Sequence, residues 1–510
     1  MAAQDHARLQ VLRINAMDRG RDGGRMQRIG GMGYGEAIIG NWRATPTTEV
    51  KEGKLQPYDG VVHNGTIANA EELGLEQGQI DSEILPRVLR RTGVDDFLES
   101  VRKLKGSYAI GCVAEVKNDV TLYLACNYKP IYIWKDPQTK TVFFSSMARH
   151  FIGACPNNPM KMKPYSVYHY HQQVCDVRDI LAERTKKYLV VCSGGLDSTH
   201  VANKIFKSLR TDIGTEVESM ELLHFNYGCR ASNKEFESIR NLAEFFKCTY
   251  RIVDIPQICF NSKEGSNSTL FDTKKKLAGP VEGAEYAHEW VPARNLIFLS
   301  MATAIAETEG FTHIALGNNL EESGAYPDNE EEFNYLFNQL LPHATQNERV
   351  VELVCPVSHL MKHEIVKEGL ALDTPFYLTW SCYEQNARPC WKCGPDFMRA
   401  EAFFRNSAID PLLVQQIYET CNGHFPTIEE AKMWIEETRR RMNEREVAFN
   451  ETINCDETAS PLSVGSPSLP LPPEQKLASI ENPQPIVREP VTAFIPEIPV
   501  KLVDDTLEDS

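Results

Sequence analysis

The chain has 510 residues, 42% of them hydrophobic, which is long and apolar enough for two folded domains with buried cores. Its formal net charge of −16 argues against broad binding of a nucleic-acid backbone, and no apolar run approaches the roughly 20 residues that a membrane-spanning helix needs. Fourteen cysteines without an apolar signal core favour reduced thiols and a cytoplasmic location, with no membrane partner.

The first 150 residues predict an α+β domain of mostly antiparallel strands. Helical patterns cover Ala7 to Asp18 and Asp81 to Arg91. The strand-like runs are EAIIGNW, DGVVHNG, SYAIGCVAE, TLYLACN, IYIWKD and TVFFSS. We place this domain at residues 1–165, with its boundary between Ala154 and Lys187.

Three ordered stretches in this region resemble class II glutamine amidotransferase domains of the Ntn type. They are RGRDG from Arg19, GNWRATPT from Gly40 and HNGTIAN from His63. The resemblance implies that Arg43 binds the α-carboxylate of glutamine and Asp81 its α-ammonium group, and that Asn64 and Gly65 form an oxyanion hole. One cation and one anion a few ångströms apart suit a zwitterion. The competing interpretation of Arg43 and Asp81 is a pair of surface charges.

The nucleophile of that family is an N-terminal cysteine, whereas this sequence begins Met1-Ala2-Ala3 and reaches its first cysteine at Cys112. Because alanine cannot supply a thiolate, the sequence as it stands is not expected to hydrolyse glutamine. Three interpretations stay open: a truncated or misassigned start, a domain that binds glutamine without hydrolysing it, and a structural scaffold.

The most informative stretch runs from Leu189 to Ser198 and reads LVVCSGGLDS. A run of β-formers ends in a glycine turn, and a helical pattern follows from Thr199. Backbone N–H groups at such a turn converge, and the helix N-terminus adds partial positive charge, which suits a phosphate or pyrophosphate. The predicted nucleotide-binding residues are Ser193, Gly194, Gly195, Leu196, Asp197, Ser198 and Thr199.

Strand and helix patterns alternate from the loop onward. Strands are predicted in YLVVC, SMELLHFNYG, TYRIVDI and Thr312 to Leu316, and helices after the loop, around Asn233 to Phe246 and at Arg294 to Glu307. This alternation predicts a doubly wound parallel sheet, in an α/β domain at residues 185–450. Ligands of such folds bind at the carboxyl ends of the strands, where the loops after Cys192 and Leu316 lie.

Four downstream motifs, VPARNLIFLSMATAIAE, GNNLEESGAYPDNEEEF, KHEIVKEGL and TWSCYEQNARPCWKCGPDFMRAEAF, complete the pattern. With the loop they resemble the 7-cyano-7-deazaguanine synthase family, which is QueC-like and belongs to the PP-loop ATP pyrophosphatases of HUP-like fold. The resemblance implies that ATP activates a carboxylate on a 7-deazaguanine base, that ammonia then displaces AMP, and that a second activation gives the nitrile. An amidotransferase-like domain fused to it resembles the Gat-QueC arrangement.

The same resemblance implies residue roles. Asp197 orients the loop or holds Mg²⁺, and Arg294 and Lys362 are further phosphate contacts, so these three are the catalytic candidates. Tyr326 and Asp328 line the base pocket. The competing interpretations are surface salt bridges for the two cations and an ordinary turn for the tyrosine and aspartate.

A cysteine cluster departs from the family pattern of four zinc-binding cysteines. Cys382, Cys390 and Cys393 fit that pattern, and Asp396 stands where the fourth cysteine belongs. Zinc accepts a carboxylate ligand, so we predict a Zn²⁺ site of three thiolates and one carboxylate, against the alternative of free buried thiols.

The segment from about Cys455 to Ser510 is rich in Pro, Ser and Glu and is predicted to be a disordered tail. The leading function is an ATP-dependent amidotransferase or synthase that adds nitrogen from glutamine or ammonia to a 7-substituted 7-deazaguanine, giving the nitrile or an archaeosine-type amidine. The alternatives are an asparagine-synthetase-like amide ligase and a binding scaffold with an inactive amidotransferase domain. The sequence leaves open whether the acceptor is a free base, tRNA or DNA, and whether the chain is a homo-oligomer.

Overall fold

The structure is a computed structural model, and it describes residues 3–17, 23–30, 36–42, 54–116, 119–210, 217–256, 268–271, 289–323, 326–346, 350–384 and 387–441. The predicted tail at 455–510 and the predicted glutamine ligand Arg43 lie outside these residues. Residues 1–445 belong to one compact unit. No helix of the described ranges is both long enough and apolar enough to cross a lipid bilayer.

Helices and strands follow one another as the sequence patterns predict over most of the described chain. The helices are α1 (Ala3–Ala16), α2 (Leu85–Val88), α3 (Val94–Val101), α4 (Leu196–Arg210), α5 (Ser232–Phe246), α6 (Arg294–Glu309), α7 (Leu320–Ser323), α8 (Glu331–Ala344), α9 (Lys362–Ala371), α10 (Gly394–Arg405), α11 (Pro411–Thr420) and α12 (428–441). The strands are β1 (Gly24–Gly30), β2 (Glu36–Trp42), β3 (Val61–Ile67), β4 (Gly106–Val116), β5 (Asp119–Cys126), β6 (Tyr132–Lys135), β7 (Val142–Ser145), β8 (Met160–Lys161), β9 (Ser166–His171), β10 (Val174–Asp179), β11 (Lys186–Val191), β12 (Val217–Asn226), β13 (Thr249–Asp254), β14 (His313–Ala315) and β15 (Glu352–Val354).

The amino-terminal region is built from antiparallel sheets, as predicted. One sheet has the order β10-β9-β5-β4-β3, a second has the order β7-β6-β8, and β1 pairs with β2. Helix α3 packs its buried Phe97 and Val101 against the five-stranded sheet. The sequence patterns missed β9 and β10, which continue this sheet through β5. The first sheet therefore extends past residue 165, to Asp179.

The carboxy-terminal region contains a fully parallel sheet of order β13-β12-β11-β14-β15, which confirms the doubly wound prediction. Successive residues of β11 face opposite sides of the sheet, so Leu189 packs in the core that includes α6 and Val190 in the core that includes α4 and α5. The chain leaves the central strand in opposite directions at β12 and β14. This reversal creates a crevice at the carboxyl ends of β11 and β14.

Candidate functional site

The glycine turn lies in that crevice, between the end of β11 and the start of α4. Gly194 has φ +79°, and a Cβ there would lie 2.7 Å from the Cβ of Ser238 on α5, so only glycine fits. The backbone N–H of Trp380 donates to the Gly194 carbonyl at 2.8 Å. Helix α4 begins at Leu196, earlier than the predicted start at Thr199, because the two glycines complete the turn.

The loop after β14 packs directly on this turn, as the shared carboxyl edge of the sheet requires. A Cβ at Gly317 would lie 2.8 Å from the backbone nitrogen of Ser198. The hydroxyls of Ser193 and Ser198 lie 3.4 Å apart inside the turn. Buried Thr199 Oγ1 and Asp197 Oδ1 have no hydrogen-bond partner among the described residues. Buried oxygens without a hydrogen-bond partner are expected at a site where a bound cation or nucleotide supplies the missing partner.

Asp197 and Lys362, both predicted from sequence, meet at this edge. Lys362 Nζ lies 3.4 Å from Asp197 Oδ2 and 3.0 Å from Glu322 Oε1, so the ammonium group bridges two carboxylates. Burial works against the Lys362 charge, but Asp197 and Glu322 raise its pKa overall. Burial raises the pKa of Asp197 to about 6, although Lys362 opposes the shift. The surface salt bridge considered for Lys362 is therefore wrong, because its side chain is 8% exposed.

Three neighbours of this pair were not predicted individually. Asn319 Nδ2 donates to Asp197 Oδ2 at 3.3 Å, and the backbone N–H of Lys362 donates to Glu321 Oε2 at 3.0 Å. Glu322 is the third. All three lie in the motif GNNLEESGAYPD. The pairs Asn318-Asn319 and Glu321-Glu322 closely follow a buried strand, and this is the sequence pattern from which the neighbours could be predicted.

Arg294 begins α6, beside aromatic side chains. It hydrogen-bonds Tyr227, and although burial opposes its charge, Tyr227, Tyr383 and Asp328 raise its pKa further. Tyr326 stacks on Trp290 with ring centroids 6.0 Å apart and planes 11° apart. A cation beside stacked aromatic rings can hold a planar, polar ring system.

Asp328 has a defined structural partner. Its Oδ2 accepts the backbone N–H of Asn295 at 3.1 Å, and its backbone carbonyl accepts Asn295 Nδ2 at 3.1 Å. The Pro327–Asn329 segment is a 3₁₀ turn, which matches the turn interpretation. Asp328 therefore anchors the first turn of α6, and Arg294 with it.

The cysteine cluster forms a compact buried group at the start of α10. The ligand atoms of Cys382, Cys390, Cys393 and Asp396 all lie within 4.8 Å of one another. The edge of a tetrahedral zinc–thiolate site is about 3.8 Å, so the four groups fit such an ion after small adjustments. Hydrogen bonds from the Cys382 and Cys393 thiols lower the pKa of Cys390, whereas the pKa values of Cys382 and Cys393 are raised.

Backbone amides surround the same cluster. The N–H of Cys393 donates to Cys390 Sγ at 3.3 Å, and the N–H of Trp391 donates to Asp396 Oδ2 at 3.0 Å. Bonds of this kind hold ligands in place before a metal binds. The carboxylate thus occupies the fourth corner of the group.

A second candidate site is a cavity of about 890 Å³ in the amino-terminal region, which Asn64, Gly65 and Asp81 help to line. Gly65 has φ +146°, and a Cβ there would lie 2.0 Å from the Ser107 carbonyl oxygen. Asp81 Oδ2 accepts the Ile67 N–H at 2.7 Å. The structure therefore brings together three of the four predicted glutamine contacts.

The sequence reasoning gave no role to His63, which is buried beside this cavity. Its Nδ1 lies 2.9 Å from Ser82 Oγ, and its backbone N–H donates to Gln56 Oε1 at 2.5 Å. Burial lowers the pKa of His63, which favours the neutral ring. His63 therefore fixes the backbone of β3 just before the Asn64-Gly65 pair.

The chain matches two protein families. Residues 187–407 match the family described as queuosine biosynthesis protein QueC, and residues 51–152 match the family described as a glutamine amidotransferase domain. A 7-cyano-7-deazaguanine synthase of Sulfolobus acidocaldarius is 42% identical over 400 residues, which cover 74% of this chain and 84% of the relative.

Two further relatives differ in length. 7-Cyano-7-deazaguanine synthase 2 of Sulfurisphaera tokodaii is 38% identical over 450 residues, covering 79% of this chain and 94% of the relative. The 7-cyano-7-deazaguanine synthase of Nitratiruptor sp. is 38% identical over 229 residues, covering 44% of this chain and 97% of the relative. The match to the Sulfurisphaera tokodaii relative covers most of both chains. The match to the Nitratiruptor relative has about the same length as the match to the QueC family alone.

Proposed function

The chain belongs to the family of 7-cyano-7-deazaguanine synthases with a QueC domain and a glutamine amidotransferase domain, and we propose that it is itself an ATP-dependent carbon–nitrogen ligase acting on a 7-substituted 7-deazaguanine. The observation that carries the proposal is the meeting of Asp197 and Lys362 beside the Gly194 turn. An anion-binding turn, a cation and an acidic residue at one strand edge are the parts that ATP cleavage to AMP and pyrophosphate requires.

The chemistry follows from the poor reactivity of a carboxylate toward ammonia. Transfer of AMP to the carboxylate of the base releases pyrophosphate, and ammonia then displaces AMP to form an amide. A second transfer of AMP to the amide oxygen, followed by loss of AMP, leaves the nitrile. Ser193, Gly195 and Ser198 hold the departing pyrophosphate, and Arg294 and Lys362 offset its charge.

The base is proposed to lie between Arg294 and the stacked Tyr326 and Trp290. The ring faces supply stacking area, and the guanidinium group supplies donors for the polar edge of the heterocycle. Asp328 accepts a hydrogen bond from the Asn295 N–H and so fixes the start of α6 beside this pocket. The acceptor is proposed to be a free base, because the chain carries a net charge of −16.

Two metal ions complete the proposal. Asp197, with its unpartnered buried oxygen, is the candidate ligand for Mg²⁺, which neutralises phosphate charge when bound. Cys382, Cys390, Cys393 and Asp396 are the candidate ligands for a structural Zn²⁺ ion, which would tie the start of α10 to the irregular segment around Cys382.

The amidotransferase-like domain, whose five-stranded sheet ends at Asp179, is proposed to bind glutamine through Asp81 and Arg43, and the synthase domain is proposed at residues 185–450. The product is proposed to be the nitrile, since adding ammonia to a nitrile needs no leaving group and hence no ATP. The amidine is the second candidate, because the amidotransferase domain supplies a reason for an added nitrogen.

The test is pyrophosphate release by the full chain with ATP, Mg²⁺ and ammonium chloride. The acceptors are 7-carboxy-7-deazaguanine, 7-cyano-7-deazaguanine and aspartate, and mass spectrometry identifies each product. Release with the carboxylate base and formation of the nitrile support the proposal. A gain of one ammonia by the cyano base without pyrophosphate release would support the amidine instead. Release with aspartate alone, or with none of the acceptors, would overturn the proposal in favour of an asparagine-synthetase-like ligase or a binding scaffold, respectively.

A further inference from the structure

A buried histidine lies directly behind the glycine turn. His224 is on β12, is 2% exposed, and places its Nδ1 3.1 Å from the backbone carbonyl oxygen of Cys192. Cys192 is the residue at which β11 passes into the turn. Since a carbonyl oxygen only accepts, Nδ1 must carry a proton and donate it to this bond. His224 thus holds the first peptide group of the turn from behind.

The other ring nitrogen of His224 faces an acidic residue. Glu235, in the first turn of α5, places Oε2 3.9 Å from His224 Nε2, and Glu235 as a residue is 8% exposed. Burial raises the pKa of Glu235 to about 7 and lowers that of His224. The 3.9 Å separation is too long for a hydrogen bond, and Nε2 has no hydrogen-bond partner among the described residues. Burial favours the neutral ring, whose one proton lies on Nδ1, where the Cys192 carbonyl accepts it. Cys229 Sγ, which donates to Glu235 Oε2 at 3.6 Å, and the nearby Arg294 complete the surroundings of the acid.

The same helix packs on the turn itself. A Cβ at Gly194 would lie 3.2 Å from the backbone oxygen of Glu235 and 2.7 Å from Ser238 Cβ. Helix α5 therefore supports both the residue that faces His224 and the backbone of the turn. A displacement of this helix would move both together.

Three carbonyl groups of the turn, those of Cys192, Gly194 and Gly195, have hydrogen-bond donors within the protein. The Gly194 carbonyl accepts from the Trp380 N–H at 2.8 Å, and the Gly195 carbonyl accepts from the Thr199 N–H at 3.2 Å. His224 performs this task for Cys192. Carbonyl oxygens repel phosphate oxygens, so a turn that binds an anion must direct its carbonyls away from the ligand. Side chains donate to two of these carbonyl groups: His224 Nδ1 to that of Cys192, and Ser198 Oγ to that of Gly195 at 3.5 Å.

We propose that His224 is a positioning residue of the nucleotide site: its Nδ1–H holds the Cys192 carbonyl away from the bound pyrophosphate. The inference rests on the proposed function, because it presupposes that the turn binds pyrophosphate. His224 is buried behind the turn and acts on it through the Cys192 carbonyl. The role therefore predicts a change in phosphate affinity that exceeds any change in affinity for the base.

The experiment compares His224→Leu, which removes the donor, with His224→Asn, whose side-chain N–H₂ lies near the place of Nδ1. Titration calorimetry measures pyrophosphate affinity, and steady-state kinetics measure KM for ATP, KM for the base and kcat. We expect the leucine variant to bind pyrophosphate ~10-fold more weakly and to have a ~10-fold higher KM for ATP, with KM for the base unchanged. The asparagine variant should recover most of both effects.

The outcomes separate the two claims. Wild-type protein that binds neither pyrophosphate nor ATP overturns the proposed function. Wild-type protein that binds them, with a leucine variant of equal affinity or an asparagine variant as weak as leucine, overturns the positioning role alone.

A measurement on the wild-type chain covers the case in which His224→Leu does not fold. Nitrogen-15 spectra of the imidazoles, with the His224 signals assigned by their loss in His224→Asn, report which nitrogen carries the proton. A protonated Nδ1 in the ligand-free protein supports the inference. A ring protonated at Nε2 alone contradicts it, since such a ring cannot donate to Cys192.

Discussion

The Asp197 carboxylate and the Lys362 ammonium group lie 3.4 Å apart, joining the first turn of α4 to the first residue of α9. Glu322 approaches the same ammonium group at 3.0 Å, so one buried cation offsets two acids. Loss of the cation would leave two carboxylates close together at the edge where pyrophosphate is proposed to bind.

Lys362→Met is expected to reduce ATP-dependent pyrophosphate release by about 100-fold or more, because a charge that stabilises the leaving group is lost while two anions remain. Lys204→Met is the matched control, since Lys204 also forms an ion pair, with Glu368 at 2.8 Å, further along α4. The control is expected to retain activity within about twofold. Equal activities of the two variants, with both folded by circular dichroism, would contradict a role for Lys362.

Gly194→Ala is expected to abolish measurable ATP binding, because the new methyl group would clash with Ser238 in a backbone conformation that alanine disfavours. Gly310→Ala is the control that measures the backbone conformational cost without a clash. Gly310 has φ +80°, and nothing lies within 4 Å of the added Cβ. The control should lose about 1–2 kcal/mol of stability and no ATP affinity. Calorimetry with a non-hydrolysable ATP analogue distinguishes the variants, and retained affinity in Gly194→Ala would refute the assignment of the turn.

Purified protein is expected to contain about one zinc ion per chain, measured by elemental analysis. Cys390→Ser should remove most of the zinc and lower the melting temperature, because three buried ligands lose their ion. Cys421→Ser changes an exposed cysteine outside the cluster and should leave the metal content unchanged. A zinc-free wild-type protein of full stability would favour the alternative of free buried thiols.

Glu235→Gln is expected to stabilise the protein at pH 8 and to leave it almost unchanged at pH 5. Burial raises the folded-state pKa of Glu235 to about 7, so the acid is neutral at pH 5 and resembles glutamine. As the pH rises from the unfolded value near 4.5 through 7, the wild type must ionise a buried group and loses on the order of 3 kcal/mol, whereas the variant does not. Melting temperatures across this range measure the difference, and a gap that does not widen from pH 5 to pH 8 would contradict a raised pKa for Glu235.

Asp81→Asn is expected to weaken glutamine binding at least about 10-fold, because the α-ammonium group loses its counter-charge. The two oxygens of the Asp81 carboxylate accept hydrogen bonds from the backbone N–H groups of Ile67 and Ser82. In the asparagine variant, only one of these oxygens remains as an acceptor. Asp59→Asn is the control, since the Asp59 carboxylate is 72% exposed and pairs with Arg91. Calorimetry with glutamine checks the expectation, which fails if both variants bind glutamine as the wild type does.

The strands with strong apolar patterning could be predicted from the sequence. EAIIGNW became β2 and TYRIVDI became β13, because β-branched and aromatic residues favour extended backbone locally. The sequence VYHYHQQV does not predict a strand, because its histidines and glutamines weaken the pattern of apolar residues. It forms β9 and the turn into β10 because β5 offers a partner edge, which no local pattern reveals.

The sequence by itself determined the turn chemistry, the parallel sheet and the four residues of the cysteine cluster, because glycine placement, apolar periodicity and ligand type act over short stretches of chain. Only the tertiary structure decided that Glu322 shares the cation of Asp197, that Asp328 anchors α6, and that His224 and Glu235 lie behind the turn. These contacts join strand ends and helix starts far apart in sequence. Burial strengthens the hydrogen bonds of these side chains and shifts their pKa values, and these side chains become buried only when the chain packs.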